Sequence, residues 1–258
     1  GLQNAPKAFI QQMRDAGRLQ RHRDGSELAW LCPSHPENFE LEKQSMLEVA
    51  RNYAVDGIHF DYIRYPHGSA CYDDGCRERF QEATGLKVGS WPADVVDGEH
   101  ADAFSDWRRE QITRLVRAVS SGARSIRPGI QISAAVFRDY PNCRRTVGQD
   151  WVEWVKQGYL DFVCPMNYTD DEEQFTTWVS SQQEYVANRV PLYPGVGASA
   201  PGLLPEQTAM QIHRARELGA RGFIIFNYDR AVADDHLPAL RTGVTAYGGP
   251  AAGGANGE

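Results

Sequence analysis

Residues 55–66 (VDGIHFDYIRYP) carry the side chains of this chain that are best suited to chemistry. Successive side chains of a β-strand point to opposite faces, so a strand here would place His59 and Asp61 on the same face. The other face would carry Ile58, Phe60 and Tyr62. A carboxylate inside a protein is costly unless it is paired or used, which makes Asp61 the first candidate for an acid or a base. The alternative is a structural pair of Asp61 with Arg64 or with His59.

Four more apolar, β-branched runs are predicted to be strands, and amphipathic stretches of helical length separate them. The five predicted strands are residues 57–63, 130–137, 160–166, 190–196 and 222–228. Helices are predicted after a capping box at Ser34–Glu37, and over 102–126, 150–157, 172–187 and 205–218. This alternation indicates an α/β fold with a parallel sheet covered by helices.

A (β/α)₈ barrel of the TIM type explains this pattern better than a doubly wound sheet. No glycine-rich phosphate-binding motif follows any predicted strand. Polar and aromatic residues instead stand at the carboxyl end of nearly every strand, and in a barrel those ends meet at the mouth, where the chemistry is found. One alternative stays open: residues 27–33 form an additional strand of an open sheet.

Composition excludes several kinds of partner. The formal net charge of the 258 residues is −7, whereas a nucleic-acid surface needs an excess of Lys and Arg. No apolar run approaches the roughly 20 residues of a membrane span. We therefore predict no nucleic-acid partner and no membrane span. No cofactor and no metal are predicted, and the oligomeric state is left open.

The five cysteines allow two interpretations. Cys71 and Cys76 flank a short loop and Cys143 lies in another, so a disulfide within this trio would suit an oxidising compartment, with Cys32 and Cys164 as buried thiols. A zinc site is the other interpretation, but the Cys71–Cys76 spacing matches no Cys-x₂-Cys motif and has no nearby His pair. Disulfides or free thiols are therefore predicted over a metal.

Four segments carry a specific resemblance to a known family. They are WLCPSHPEN (30–38), DGIHFDYIRYP (56–66), VGQDWVEWVKQGYLDFVCPMNYT (147–169) and PLYPGVGAS (191–199). They resemble, in the same order, segments of the glycoside-hydrolase-like family 10 proteins, where a motif similar to residues 56–66 ends barrel strand four. Many relatives carry a second Asp at the position of Tyr62, so the role of that acid has no counterpart here.

The resemblance implies that the five predicted strands are barrel strands four to eight. Residues 1–35 would be the helix and loop that follow an absent strand three. Residues 1–243 would then be the C-terminal part of a glycoside-hydrolase-like barrel that lacks strands one to three. Residues 244–258, rich in Gly and Ala, would be a linker or a disordered tail. The resemblance also implies a bacterial protein that is extracytoplasmic or secreted.

The activity that the resemblance implies is hydrolysis of glycosidic bonds, which uses two carboxyl groups. Asp61 is the first. The candidates for the second are Asp229, after strand eight, Asp170, after strand six, and Asp139, after strand five. Asp229 and Asp170 suit a loop or a cap as well. No Glu follows a strand, and a substrate-assisted mechanism that needs fewer protein carboxylates remains open.

The remaining residues at the predicted mouth suit sugar binding. Tyrosine rings can stack on a pyranose while the hydroxyl bonds its edge, and an Asn amide both donates and accepts. The predicted substrate-binding residues are His59, Arg64, Tyr65, Asp139, Tyr140, Asn167, Tyr168, Tyr193, Asn227 and Tyr228.

The sequence thus predicts a glycoside hydrolase that acts on a polysaccharide or oligosaccharide, with Asp61 as its essential acid. A non-catalytic carbohydrate-binding barrel is the alternative, because the second acid is not assigned. A metal-dependent hydrolase that uses His59 and Asp61 ranks third, because the sequence offers only one such pair.

Overall fold

The structure, a computed structural model, describes residues 1–245 and divides them into two units. The first unit comprises residues 1–164 and 185–191, and the second comprises residues 165–184 and those from 192 onward. The predicted tail, apart from Val244 and Thr245, lies outside the described residues. Across residues 1–245, no helix combines the length and the apolar character that a membrane span requires.

The first unit contains a parallel pair of strands within a three-stranded sheet, together with helices and a hairpin. Its elements are α1 (Lys7–Asp15), β1 (Leu19–Arg21), β2 (Glu27–Leu31), α2 (Pro36–Asn52), β3 (Gly57–Phe60), α3 (Asp74–Thr84), α4 (Ala93–Val96), α5 (Ala101–Ile126), β4 (Gln131–Val136), α6 (Cys143–Thr146), α7 (Trp151–Lys156) and β5 (Phe162–Pro165, of which Pro165 belongs to the second unit). The order in the sheet is β3-β4-β5, and β3 runs parallel to β4 with His59 opposite Ser133.

Strand β3 is shorter than the predicted 57–63. It ends at Phe60 because the Asp61 side chain accepts a hydrogen bond from the Tyr62 N–H at 2.8 Å and Tyr62 adopts a left-handed conformation with φ 54°. Ile58 and Phe60 are buried, as predicted, and His59 faces the other way. The placement of Tyr62 on the buried face was wrong, since the turn leaves its side chain 57% exposed.

The first unit also contains an antiparallel hairpin that the sequence analysis did not predict. Strand β2 pairs with β1 rather than joining the parallel sheet, so an open sheet extended by residues 27–33 is wrong. An Asp24-Gly25 turn connects the two strands, with Gly25 at φ 86° and the Asp24 carboxylate accepting from the Ser26 N–H at 2.8 Å. Both strands are too short for their alternation to be recognised, although the Asp-Gly dipeptide is a hairpin signal.

Helix α2 begins one residue later than predicted. Its N-cap is His35, whose ring accepts from the Glu37 N–H at 3.3 Å, and Pro36 occupies the first turn. The capping box with Ser34 as its cap was therefore wrong. The Ser34 hydroxyl instead accepts from Arg79 at 3.0 Å, in the buried interior of the unit.

Helices α2 and α5 pack against each other and form the core of the first unit with α7. Gly122 of α5 permits this packing, because a Cβ atom there would lie 2.9 Å from Leu47 Cδ2. The indole N–H of Trp154 on α7 donates to the Thr113 hydroxyl of α5 at 2.9 Å. Buried apolar side chains of these three helices thus form the core of this unit.

Up to residue 245, the second unit has two short parallel strands and three helices. Its elements are α8 (Glu172–Val186, of which the last two residues belong to the first unit), β6 (Gly195–Val196), α9 (Pro205–Glu217), β7 (Ile224–Ile225), a π-helical turn (Val232–His236) and α10 (Leu237–Arg241). β6 pairs with β7 in parallel, and Gly195 lies opposite Ile224. The predicted strand 190–196 shrinks to two residues, since Pro191 and Pro194 offer no N–H to a ladder.

A buried amide joins the carboxyl ends of β3 and β4. The side chain of Gln149 is fully buried, and its oxygen accepts from the Phe137 N–H at 2.8 Å. Its nitrogen lies 3.3 Å from the carbonyl oxygens of both Ile63 and Ala135. One side chain thus satisfies backbone groups that the two strands leave unpaired where they end.

Replacing Gln149 by Ala should lower the free energy of unfolding by about 2–4 kcal/mol, because three buried backbone groups lose their partner and a cavity remains. Urea denaturation measures this loss. Gln157→Ala is the matched control, because that amide is exposed and bonds only Glu153, and it should change stability by less than about 0.5 kcal/mol. Equal effects of the two substitutions would contradict the bridging role.

Candidate active site

Asp61 lies directly beyond the carboxyl end of β3, with its side chain exposed. One carboxylate oxygen accepts the Tyr62 N–H at 2.8 Å, which fixes the direction of the group. The other oxygen has no hydrogen-bond partner among residues 1–245. Asp61 is therefore an oriented carboxyl group with one oxygen available to a ligand.

His59 lies on the same face of β3, two residues before Asp61. Its Nδ1 is 2.8 Å from the hydroxyl of Ser133, its register partner on β4. Burial lowers the pKa of His59, and the negative charge of Asp61 opposes this shift only in part. The neutral imidazole is favoured at neutral pH, so His59 can offer a substrate one ring nitrogen as either a donor or an acceptor.

Arg64 forms no ion pair with Asp61 in the described chain, so the alternative of a structural pair between these two residues is wrong. Its guanidinium donates instead to the backbone carbonyls of Tyr65 at 3.0 Å and Pro66 at 3.2 Å. Burial lowers its pKa, yet an arginine stays charged at neutral pH. Three rings surround the guanidinium carbon, with centroid distances of 5.0 Å to Phe137, 5.1 Å to Tyr62 and 5.5 Å to Trp30.

A cavity of about 300 Å³ adjoins these groups within the first unit, at the lower end of the range for ligand sites. Asp61 and Arg64 line it, together with the aromatic residue Trp30. Glu42 of α2 also lines it, and burial raises the pKa of this carboxyl group. Trp30 and Glu42 were not predicted from the sequence, because they lie in the hairpin and in a helix, away from the predicted strand ends.

Two tyrosines predicted at the mouth serve packing instead. Tyr65 is fully buried, its hydroxyl donates to the Arg108 carbonyl at 3.2 Å, and the Arg108 guanidinium covers its ring at 4.2 Å. Its predicted contact with substrate was therefore wrong. The Tyr140 hydroxyl donates to Asp150 at 3.0 Å, and its ring packs on Trp151 at 5.2 Å. Burial and the Asp150 charge raise the pKa of Tyr140.

Two acids near Tyr140 belong to a local network. Asp150 is buried and accepts hydrogen bonds from Arg144 at 2.9 Å, while Arg109 lies 3.3 Å away. Asp139 accepts from the Asn142 amide at 2.9 Å. The Oδ1 atom of Asp139 is buried without a hydrogen-bond partner in the described chain, and its substrate contact stays a prediction. Asp150 is a structural acid that two cations neutralise.

In the second unit, Asn167 is fully buried and pairs with Gln182. Each amide donates to the other, at 2.9 Å and 2.8 Å. The prediction that Asn167 binds sugar hydroxyls was wrong, because its amide is buried away from solvent and already pairs with Gln182.

The other predicted residues of the second unit differ in exposure. Tyr228 is 77% exposed and Asp170 is also exposed. The Tyr168 ring stacks on Phe226 at 4.7 Å, and Tyr193 packs so closely over Gly222 that a Cβ atom there would lie 2.7 Å from its ring. The Asn227 side chain bonds the Ser199 hydroxyl.

Asp229 follows β7 and caps the next turn. One of its oxygens accepts from the Val232 N–H at 2.9 Å. Asp229 also lines a cavity of about 720 Å³ within the second unit, together with Ser199 and His236. Its carboxylate therefore combines a capping role with access to a space that could hold a ligand.

Four further ligating side chains meet in the interior of the first unit: Cys32, Cys71, Asp73 and Cys76. We call them the four-ligand cluster. All five cysteines are free and buried, so of the two predicted states, disulfides or free thiols, the structure has free thiols. Cys143 lies apart, and its thiol donates to the Gln149 carbonyl.

The thiols of the cluster influence each other's ionisation. Burial opposes ionisation of Cys32, but hydrogen bonds from Cys71 and Cys76 bring its pKa well below the usual range. Burial raises the pKa of Cys71 and of Cys76 well above the usual range of a thiol. The missed signal was Cys71-x-Asp73-x₂-Cys76, which brings three ligands around a helix N-terminus where Asp73 is the cap.

The structural neighbours of this chain among solved structures are glycoside hydrolase TIM-barrel proteins. The chain superimposes on the PgaB (BpsB) glycoside hydrolase domain from Bordetella bronchiseptica with a TM-score of 0.68 and 17% identity, covering 83% of this chain and 63% of that one. For a β-galactosidase from Rahnella sp. R3 the TM-score is 0.64 at 16% identity, covering 86% and 39%. The chain is therefore an α/β protein with structural similarity to these barrels.

The profile of the family described as glycosyl hydrolase-like 10 matches residues 2–199, and the chain belongs to that family, as the sequence predicted. The glycosyl hydrolase DigH of Escherichia coli K12 is 29% identical over 154 residues, which are 54% of this chain and 31% of that protein. The glycosyl hydrolase YngK of Bacillus subtilis 168 is 23% identical over 154 residues, 53% and 27% respectively. The chain thus spans about a third or less of these relatives.

Asn167→Ala should lower the free energy of unfolding by about 2–3 kcal/mol, since the buried amide of Gln182 loses the two hydrogen bonds that it shares with Asn167. The double variant with Asn167→Ala and Gln182→Ala should lose less stability than the sum of the two single losses. Urea unfolding of all three variants measures this coupling. Gln174→Ala, at an exposed position of α8, is the control and should stay within about 0.5 kcal/mol. Strictly additive losses would show that the two amides do not depend on each other.

Proposed function

We propose that this chain is part of a (β/α)₈ glycoside hydrolase, comprising strands four to eight, and that Asp61 is an essential carboxyl group of its active site. The substrate would be a polysaccharide or an oligosaccharide, and the protein would act outside the bacterial cytoplasm. Membership of the glycosyl hydrolase-like 10 family supports the class of reaction. The observation that carries the residue assignment is the oriented, open carboxylate of Asp61 at the carboxyl end of β3.

The surroundings of Asp61 suit a sugar ring. Trp30 and Tyr62, whose ring centroids are 5.9 Å apart, offer apolar faces on which a pyranose can stack. His59 offers a neutral ring nitrogen to a hydroxyl group. The Arg64 guanidinium holds the two rings through cation–π contacts and adds positive charge beside the carboxylate. In this arrangement Asp61 transfers a proton or attacks the anomeric carbon, and the other groups orient the sugar.

Asp229 is the best supported of the three predicted candidates for the second carboxyl group. It lines a cavity, and one oxygen remains beyond the hydrogen bond that caps the following turn. Asp170 is exposed and lines none of the cavities described for residues 1–245. A second acid is required for either stereochemical outcome unless the substrate supplies the group itself.

Asp61→Asn should reduce sugar release at least about 100-fold, because an amide keeps the shape of the side chain but neither gives a proton nor forms a glycosyl ester. The assay measures reducing ends from a panel of bacterial and plant polysaccharides, in the longest natural polypeptide that contains this sequence. Asp56→Asn is the matched control, since Asp56 is an exposed acid before the same strand and should leave activity unchanged. Equal activity of the two variants would refute the role of Asp61.

A non-catalytic carbohydrate-binding protein is the second candidate. The open platform of Trp30 and Tyr62 favours it, because stacking supports binding without any acid. In that case the panel would yield oligosaccharides that bind with no release. Asp61→Asn would then alter affinity only slightly, whereas Trp30→Ala would abolish binding.

A further inference from the structure

The four-ligand cluster directs four metal-ligating atoms to one point. The three Sγ atoms form a nearly equilateral triangle, with 3.3 Å between Cys71 and Cys32 and 3.4 Å along each of the two sides to Cys76. Oδ2 of Asp73 lies 2.8 Å from Cys71 Sγ and 3.0 Å from Cys76 Sγ. The ligating atoms of all four residues lie within 4.8 Å of one another.

These distances suit a metal ion better than a disulfide. A disulfide would need one pair of sulfurs at about 2.05 Å, whereas the three separations here are equal and select no pair. Zinc binds cysteine sulfur at about 2.3 Å. An ion at that distance from all three sulfurs would lie roughly 1.2 Å above their plane, and the sulfurs would need to separate by about 0.4 Å more to reach tetrahedral angles. The fourth position of a tetrahedron would fall to the Asp73 carboxylate.

Neighbouring groups orient the ligands from outside. The backbone N–H of Cys76 and the Arg79 guanidinium bond the other oxygen of Asp73, at 2.9 Å and 3.3 Å, which turns Oδ2 toward the sulfurs. The Ser34 hydroxyl lies 3.2 Å from Cys32 Sγ and 3.3 Å from Cys76 Sγ, and Arg79 also approaches Cys32 Sγ at 3.6 Å. Such a second layer of hydrogen bonds fixes and tunes the ligands of protein metal sites.

The charge and the burial of the four-ligand cluster also favour a bound cation. The cluster is buried, with 0% exposure at Cys32 and Cys71, 1% at Cys76 and 7% at Asp73. Three thiolates and a carboxylate carry four negative charges, and Arg79 supplies one positive charge. A divalent cation would reduce the net charge of this set to about −1, which makes burial of the ionised ligands tolerable.

We propose that the four-ligand cluster is a structural metal site that takes zinc, bound by three cysteine thiolates and the Asp73 carboxylate. Thiolate ligands select zinc over magnesium or calcium, which prefer all-oxygen shells. The protein fills all four positions of the tetrahedron, and the site is closed to solvent, so the ion has a structural and not a catalytic role.

The position of the cluster shows which two segments of the chain a bound ion would connect. Cys32 follows β2, two residues after Trp30 of the sugar platform. Cys71 and Asp73 end the segment that runs from Pro66 to α3, directly after Arg64 and its backbone partners. Zinc would therefore connect the hairpin to this segment, across 39 to 44 residues of sequence. It would thereby stabilise the part of the unit that lies beside Asp61.

The test is metal analysis of the protein purified under reducing conditions without chelators. We expect about one zinc per chain by plasma mass spectrometry. Cobalt added to the metal-free protein should give the intense visible bands of tetrahedral cobalt and a thiolate charge-transfer band in the near ultraviolet. Removal of zinc should lower the melting temperature, and added zinc should restore it.

Cys71→Ser should lower the zinc content to below about 0.2 per chain, whereas Cys143→Ser, at a buried cysteine outside the cluster, should leave it unchanged. The proposal is overturned if the wild-type protein contains no stoichiometric zinc and its metal-free form gives no cobalt bands. Peptide mapping that finds a disulfide between two cysteines of the cluster would overturn it as well. The cobalt titration uses the wild-type protein, so it decides the question even if the variants do not fold.

Discussion

The parallel pairing of β3 with β4 is the interaction on which the candidate active site depends. Because the two strands run in the same direction, their carboxyl ends lie on one edge of the sheet, and the pairing of His59 with Ser133 fixes which side chains meet there. Gln149 then occupies the backbone groups beyond both strand ends. The turn at Asp61 starts from this fixed point, so its carboxylate keeps one orientation.

The acids of this chain fall into two physical classes. Asp150 and Asp73 are buried, and each is held by arginine side chains, so their charges stabilise local structure. Asp61 is exposed and has an oxygen without a protein partner in the described part of the chain, although it lies beside a charged guanidinium and two aromatic rings. Because no protein group in the described chain donates to this oxygen, the oxygen is available to a ligand. This contrast, more than the number of acids, distinguishes Asp61.

The sequence predicted the alternation of strands and helices and the position of Asp61, because both follow from local periodicity and from a long motif. It did not predict which polar side chains find partners inside the protein. Tyr65 and Asn167 look like mouth residues in the sequence, but Arg108 and Gln182 cover or pair them after distant segments pack. The grouping of Cys32 with two thiols of α3 and its preceding loop likewise depends on a hairpin whose strands are too short to recognise.

The most direct test of the account is a crystal structure of the Asp61→Asn protein with a bound oligosaccharide. We expect a sugar stacked on Trp30 or Tyr62, with a glycosidic oxygen or anomeric carbon within about 3.5 Å of the side chain at position 61. An oligosaccharide bound at a distant surface, with position 61 in contact only with solvent, would contradict it.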